Sequence, residues 1–213
     1  TVLKNGVWVS PIANFFNWDG KCPSGLHGRL LKSEDEGKTW DDSTITMEFP
    51  ERNITVWEQR LCELENGNLV VIAWNEVLAT GERLPNHYAI SEDDGKSFCK
   101  PISTGIMGQA SNLLHIGDNK VLALHCLRRD TGRPGIYGYI VDLANGIWDI
   151  LSREIIWEPQ IPVKADNSVA SVFSFLKFGQ PSAIKLKDGS YLVTNWVIED
   201  GKGKIAWHNL EII

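Results

Sequence analysis

The sequence predicts an all-β fold built of four-stranded antiparallel blades, the architecture of a β-propeller. Three observations predict it. An octet occurs twice, as SEDEGKTW over 33–40 and SEDDGKSF over 91–98. A unit of apolar strand, turn dipeptide and apolar strand recurs along the chain. No long stretch of 3.6-residue hydrophobic period competes with these short strands.

The elements follow in order. LKNGVWVSPIA from Leu3 is a truncated hairpin, followed by HGRLLKS as the third strand and then the first octet. LCELENGNLVVIAW from Leu61, NHYAIS and the second octet repeat the unit in full. NLLHIGDNKVLALHC from Asn112 and GIYGYIVD lead into DLANGIW, which keeps an Asp, a Gly and a Trp at altered spacing. AIKLKDGSYLVTNW from Ala183 and GKIAWHNLEI form the last unit, which stops after its third strand. Asn-Gly and Asp-Gly supply the positive φ of tight hairpin turns, and the β-branched residues around them favour strands. The expected blades are 1–50, 51–104, 105–165 and 166–213, within a single propeller domain over 1–213. The first strand is nearly missing before the opening turn, so the chain is expected to be part of a larger propeller.

Composition narrows the function. Of 213 residues, 43% are hydrophobic and 23% charged, as in globular proteins. A net charge of −6 argues against nucleic acid as a partner, and no apolar run is long enough to span a membrane. Nine Trp suit stacking on sugar rings or wedging between sheets. Cys22, Cys62, Cys99 and Cys126 form no metal pattern, so free, mostly buried thiols are expected, with no metal and no cofactor. Asn53-Ile54-Thr55 matches a glycosylation sequon.

Local turn physics explains the octets. Asp35 and Asp93 can accept hydrogen bonds from backbone amides of their own turns, and Gly37 and Gly95 permit a conformation other residues resist. Trp40 and Phe98 are expected to pack between sheets. A calcium loop would need more oxygen ligands and a closing acid. The octets are therefore scaffolding, and chemistry is expected at the opposite ends of the strands. Starts of first strands place Trp57, Glu58 and Arg60, then Gln109 and Ser111, then Gln180 and Ser182 there. Loops between second and third strands add Trp18, Asp19 and His27, then Glu76 and Arg83. They also add Arg128, Arg129, Asp130 and Arg133, then Glu199 and Asp200. Carboxylates, arginines and Trp together suit glycoside cleavage, with arginine forks fitting an acidic sugar. His87, His115, His125 and His208 are read as structural.

Ser-x-Asp-x-Gly-x-Thr-Trp is the Asp-box, and the chain resembles the BNR-repeat, sialidase-like family of β-propellers. The resemblance implies a six-bladed propeller when complete, about four blades of it lying in this chain. It implies an Arg triad for the substrate carboxylate, a Tyr nucleophile assisted by a Glu, and an Asp acid/base. WEQRLCELENGNL matches the blade start that carries the assisting Glu, which gives that role to Glu58. Gln109 in GQASNLL resembles a glutamine of the next blade. A triad Arg position falls on Trp74, and the Tyr position falls on GQPS, with Pro181 beside Ser182. The function expected is that of a sialidase-like glycoside hydrolase, or the C-terminal part of one, acting on a terminal sugar that can be acidic. Glu58 and Asp19 would be catalytic, and Arg60, Arg128, Arg129, Gln109, Gln180, Trp18 and Trp57 would bind the sugar. A non-catalytic carbohydrate-binding or scaffold propeller is the alternative, and oligomeric state is left open.

Overall fold

A computed structural model describes residues 1–13, 17–22, 26–50, 53–129, 131–160 and 177–212. Their order is β1 (Trp8–Ala13), β2 (His27–Ser33), β3 (Asp41–Glu48), β4 (Trp57–Glu63), β5 (Leu69–Val77), β6 (Glu82–Ser91) and β7 (Ile102–Ser103). Then come β8 (Ser111–Gly117), β9 (Lys120–Leu127), β10 (Gly135–Asp142), β11 (Asp149–Trp157), β12 (Phe178–Lys185), β13 (Tyr191–Glu199) and β14 (Lys202–Leu210). These strands make four antiparallel sheets, β1-β2-β3, β4-β5-β6-β7, β8-β9-β10-β11 and β12-β13-β14.

Two of the sheets have the four strands expected and two have three. Beside the first sheet, Val2 and Trp8 form an isolated antiparallel bridge. The expected boundary at 165/166 and the candidate Asp130 lie outside the described residues. Among the described residues no helix is long and apolar enough to cross a membrane.

The chain divides into two compact units. One holds residues 1–106 and 117–119, and the other holds 107–116 and 120–213. In the first, Met47, Val56, Val71, Ala73 and Ala89 form a core with Phe98 packed against it. A second cluster joins Leu3, Val9, Leu30 and Leu69, again with Phe98 beside it. In the other unit Leu122 and Leu124 of β9 meet Ala183 and Val193, while Cys126 and Ile136 meet Phe178 and Val197. Sheets stack through these aliphatic faces, each fully buried side chain contributing about 2 kcal/mol.

The two octets fold alike. Asp35 accepts hydrogen bonds from the Thr39 amide at 2.8 Å, the Thr39 hydroxyl at 2.7 Å and the Ser33 hydroxyl at 2.8 Å. Asp93 takes the same set from the Ser97 amide at 2.9 Å, the Ser97 hydroxyl at 2.6 Å and the Ser91 hydroxyl at 2.8 Å. These donors hold the Asp35 carboxyl down at about 2, the Thr39 amide contributing most. The Asp93 carboxyl lies well below the usual carboxylate range, chiefly through the Ser97 hydroxyl.

Phe98 packs between sheets as expected, but Trp40 stays 44% exposed. Its indole N–H donates to the Gly37 carbonyl at 3.1 Å, so it covers its own turn instead. Within its unit, Phe98 has a sheet on either side of it, and this is the packing that Trp40 lacks. None of the four cysteines is in a disulfide, and only Cys62 and Cys126 are buried; Cys99 is exposed. Burial pushes the Cys62 thiol up to about 12.

Candidate functional site

Glu58 sits where β4 is irregular. Trp57 faces Trp74 across the ladder and Arg60 faces Ile72, so Glu58 and Gln59 form a bulge. The backbone of Glu58 is left-handed, with φ of 46°. A side chain there costs roughly 1–2 kcal/mol, and such strain gathers at ligand sites. The Trp74 indole N–H donates to a Glu58 carboxylate oxygen (Oε2) at 2.8 Å. The Trp57 and Trp74 rings lie 5.8 Å apart with their planes tilted by 33°. A carboxylate is thus anchored at the edge of a two-ring indole surface.

The same bulge turns Gln59 inward. Its Oε1 accepts the Thr46 hydroxyl at 2.5 Å, and its Nε2 donates to the Ile12 carbonyl. Arg60 donates to the Gln59 carbonyl at 2.8 Å. Gln59 ties β4 to β1 and β3, fixing the base from which Glu58 projects.

Trp18 and Asp19 occupy a solvent turn in the same unit. Trp18 is fully exposed. Asp19 accepts the Lys21 amide at 3.1 Å and stands 3.6 Å from the Lys21 ammonium. Its carboxylate is engaged by its own turn, in the manner of an Asx-turn.

The other unit gathers Gln109, Arg128 and the start of β12. Arg128 follows β9 and is only 9% exposed. Its amide donates to Gln109 Oε1 at 3.1 Å, and its Nε donates to the Cys126 sulfur at 3.1 Å. Its guanidinium carbon lies 5.7 Å from the Trp196 ring centroid. Gln180 is exposed and left-handed, with φ of 46°, on a bulge between Gly179 and Ser182.

Several expected residues are engaged elsewhere. Arg133 is committed to Glu158 through a fork at 2.5 and 2.6 Å, which raises its own pKa and lowers that of Glu158. Glu199 pairs with Lys204 at 3.0 Å, and Glu76 faces Arg83 across β5 and β6. His27 accepts from Arg29 at 3.0 Å, and burial lowers its pKa. Arg129 is half-buried directly after Arg128. All four tyrosines, Tyr88, Tyr137, Tyr139 and Tyr191, are buried. Among the described residues no group of three or more His, Cys, Asp or Glu is placed to hold a metal. A cleft of about 690 Å³ lined by Ile45, Met47, Phe49 and Phe98 contains none of the expected residues.

Sequence reasoning noted Trp74 only as standing at an arginine's position and gave Trp196 and Gly179 no role. Their contribution depends on bulges and cross-sheet contacts, which strand alternation does not encode.

No family model and no curated protein matches the chain. Solved structures do. A protein of unknown function from Dyadobacter fermentans is similar with a TM-score of 0.73 at 22% identity, over 100% of this chain and 52% of that one. A Penicillium chrysogenum α-L-arabinanase complexed with arabinobiose is similar with a TM-score of 0.64 at 15% identity, over 98% and 60%. A Hadza microbial sialidase gives 0.53 at 13%, over 91% and 38%. The four antiparallel sheets are similar in fold to these propeller glycosidases, and the chain spans little more than half the length of the first two of these structures.

Proposed function

We propose that this chain is part of a glycoside hydrolase-like propeller that acts on a terminal sugar, with Glu58 as the general base. The observation that carries this reading is the Glu58 carboxylate, held by the Trp74 indole on a strained bulge beside the Trp57 and Trp74 rings. Indole faces bind the apolar face of a sugar, and a fixed carboxylate at their edge can take a proton from water or a hydroxyl. Glycosidases named for arabinan, xylan and sialosides share the fold, which supports a sugar substrate. The sialidase-like reading is the finer form of this proposal, with six blades in the complete protein, Asp19 as the acid, and Arg60 and Arg129 orienting the sugar. The burial of every tyrosine argues against a Tyr nucleophile from this chain. Glu58 is left as the base rather than the partner of a tyrosine.

The test is turnover of a panel of aryl glycosides, followed by Glu58→Gln on any substrate found. Loss of a general base should lower kcat by about 100-fold or more. Unchanged turnover would remove Glu58 from the mechanism.

A second reading is a carbohydrate-binding propeller without catalysis. The specific observation in its favour is Trp74, which holds Glu58 where the resemblance expects an arginine. Glycan-array binding that depends on Trp57 and Trp74, with no glycoside cleaved, would select it.

A further inference from the structure

We propose that a cleft in the unit formed by residues 1–106 and 117–119 binds an amphiphilic anion, an apolar body carrying one carboxylate. The site lies between β3 and the segment 96–101. The inference goes beyond the role given to Glu58 and does not rest on it.

The first observation is how the cleft is made. β3 has eight residues, whereas β7, the fourth strand of the next sheet, has two. Only His87 and Tyr88 of β6 pair with β7. The chain leading into β7 is irregular. The Cys99 amide donates to the Ile90 carbonyl at 2.9 Å, but the Ile90 amide donates to the Cys99 sulfur at 3.2 Å instead of to a carbonyl. This segment and β3 run side by side. At one end the Thr44 hydroxyl donates to the Gly95 carbonyl at 3.2 Å. At the other the Phe49 ring meets His87, with centroids 5.0 Å apart. The space left between them is the cleft of about 690 Å³, the size of a small-molecule site.

The second observation is its floor. Ile45, Phe49, Ile54 and Phe98 line the cleft. Phe49 and Phe98 pack against the core cluster yet are only partly buried, and Ile45 is 37% exposed. A hydrocarbon body seated there would take this surface out of water.

The third observation is the charge at its edge. Lys96 and Lys100 also line the cleft, both are exposed, and among the described residues no carboxylate pairs with either. Asp93, close to Lys96 in sequence, is engaged by the Ser91 and Ser97 hydroxyls. Glu48 lines the cleft too, but it faces His27 across β2 and β3. Two cations thus stand against one acid, in a chain whose net charge is −6. A neutral hydrocarbon would leave both ammonium groups unpaired, and a bare anion would leave the floor wet. A molecule with an apolar body and an anionic head satisfies both.

The test is calorimetric titration of the full chain with octanoate, 2-naphthoate, octanol and acetate. The readout is binding alone, so it is independent of turnover at Glu58. Octanoate and 2-naphthoate should bind about fivefold more tightly than octanol, the worth of two exposed charge pairs, and added salt should narrow the gap. Acetate, which has almost no apolar body, should give no measurable heat. The tighter of the two larger carboxylates tells whether the floor prefers an alkyl or an aryl body. The double variant Lys96→Gln, Lys100→Gln should reduce both to the affinity of octanol. Ile45→Glu, which puts a negative charge on the floor, should abolish their binding. Thermal midpoints check that the variants fold. Cys99 lines the cleft and is exposed, so the parent chain provides a second readout that needs no variant. Octanoate at ten times its Kd leaves about one-tenth of the sites open, so alkylation of Cys99 by iodoacetamide should slow about tenfold. Cys22, read in the same digest by mass spectrometry, should react at an unchanged rate. Failure of both carboxylates to bind, equal binding of octanol, a preference that survives the double variant, or unchanged alkylation of Cys99 would each overturn the proposal.

Discussion

Glu58 combines a chemical role with a conformational cost, and the two can be separated. A left-handed glutamate is strained by roughly 1–2 kcal/mol, whereas glycine adopts that conformation freely. Glu58→Gln keeps both the strain and an oxygen that can accept from Trp74. Glu58→Gly removes the strain together with that hydrogen bond. Urea unfolding should find Glu58→Gly the more stable variant by about 0.5–1 kcal/mol, although both lose the carboxylate. A less stable Glu58→Gly would mean that the contacts of the side chain outweigh its strain. Trp74→Phe tests the anchor, since it keeps a ring and deletes the indole donor. On a substrate cleaved by the parent chain, kcat/KM should fall about tenfold, the worth of one hydrogen bond to a charged group. Glu58 was legible in the sequence as a carboxylate beside Trp57 at a strand start. Its strain was not, because an inserted residue leaves no mark on an apolar alternation that is already short.

At the scale of elements, Gln59 holds one sheet against its neighbour. Its amide spans the Thr46 hydroxyl and the Ile12 carbonyl while Gly28 lies flat against it. A Cβ on Gly28 would come within 2.4 Å of Gln59 Oε1 and 2.5 Å of the Thr46 hydroxyl oxygen. Gly28→Ala must therefore displace Gln59 and should cost about 2 kcal/mol, read as a lower urea midpoint. Gln59→Ala should cost a similar amount by stranding the buried Thr46 hydroxyl. A neutral result for both would show that the seam is held by aliphatic packing alone. The octets and hairpins were legible because Ser, Asp, Gly and Thr complete their hydrogen bonds within one turn. The Gln59 seam was not, because its partners lie 13 and 47 residues away. The same holds for Arg128, whose indole partner comes from a different sheet.

For the whole molecule, acid sensitivity should have two windows, and the sign is the same in both. Burial lowers the pKa of His27, His87, His125 and His208, taking fully buried His125 to about 3. Hydrogen bonds lower those of Asp35, Asp41, Asp93 and Asp188. In every case the unfolded chain takes up protons before the folded one, so acid favours unfolding. The histidine contribution is complete above about pH 6.5 and is lost as pH falls toward 3. The aspartate contribution is complete above about pH 4 and is lost as pH falls toward 2 and below. His125 packs edge-on against Tyr139 and Trp148, with centroids at 5.3 and 6.3 Å, so phenylalanine can take its place among the rings. Calorimetric midpoints of the parent chain should decline between pH 7 and pH 5, where none of these carboxylates titrates. His125→Phe should flatten that decline and leave the loss below pH 4 unchanged. Asp35→Asn should lower the midpoint at neutral pH and reduce the loss below pH 4 without touching the upper window. A parent midpoint constant from pH 7 to pH 5 would show that folding leaves the proton affinity of these imidazoles unchanged, against the lowering by burial.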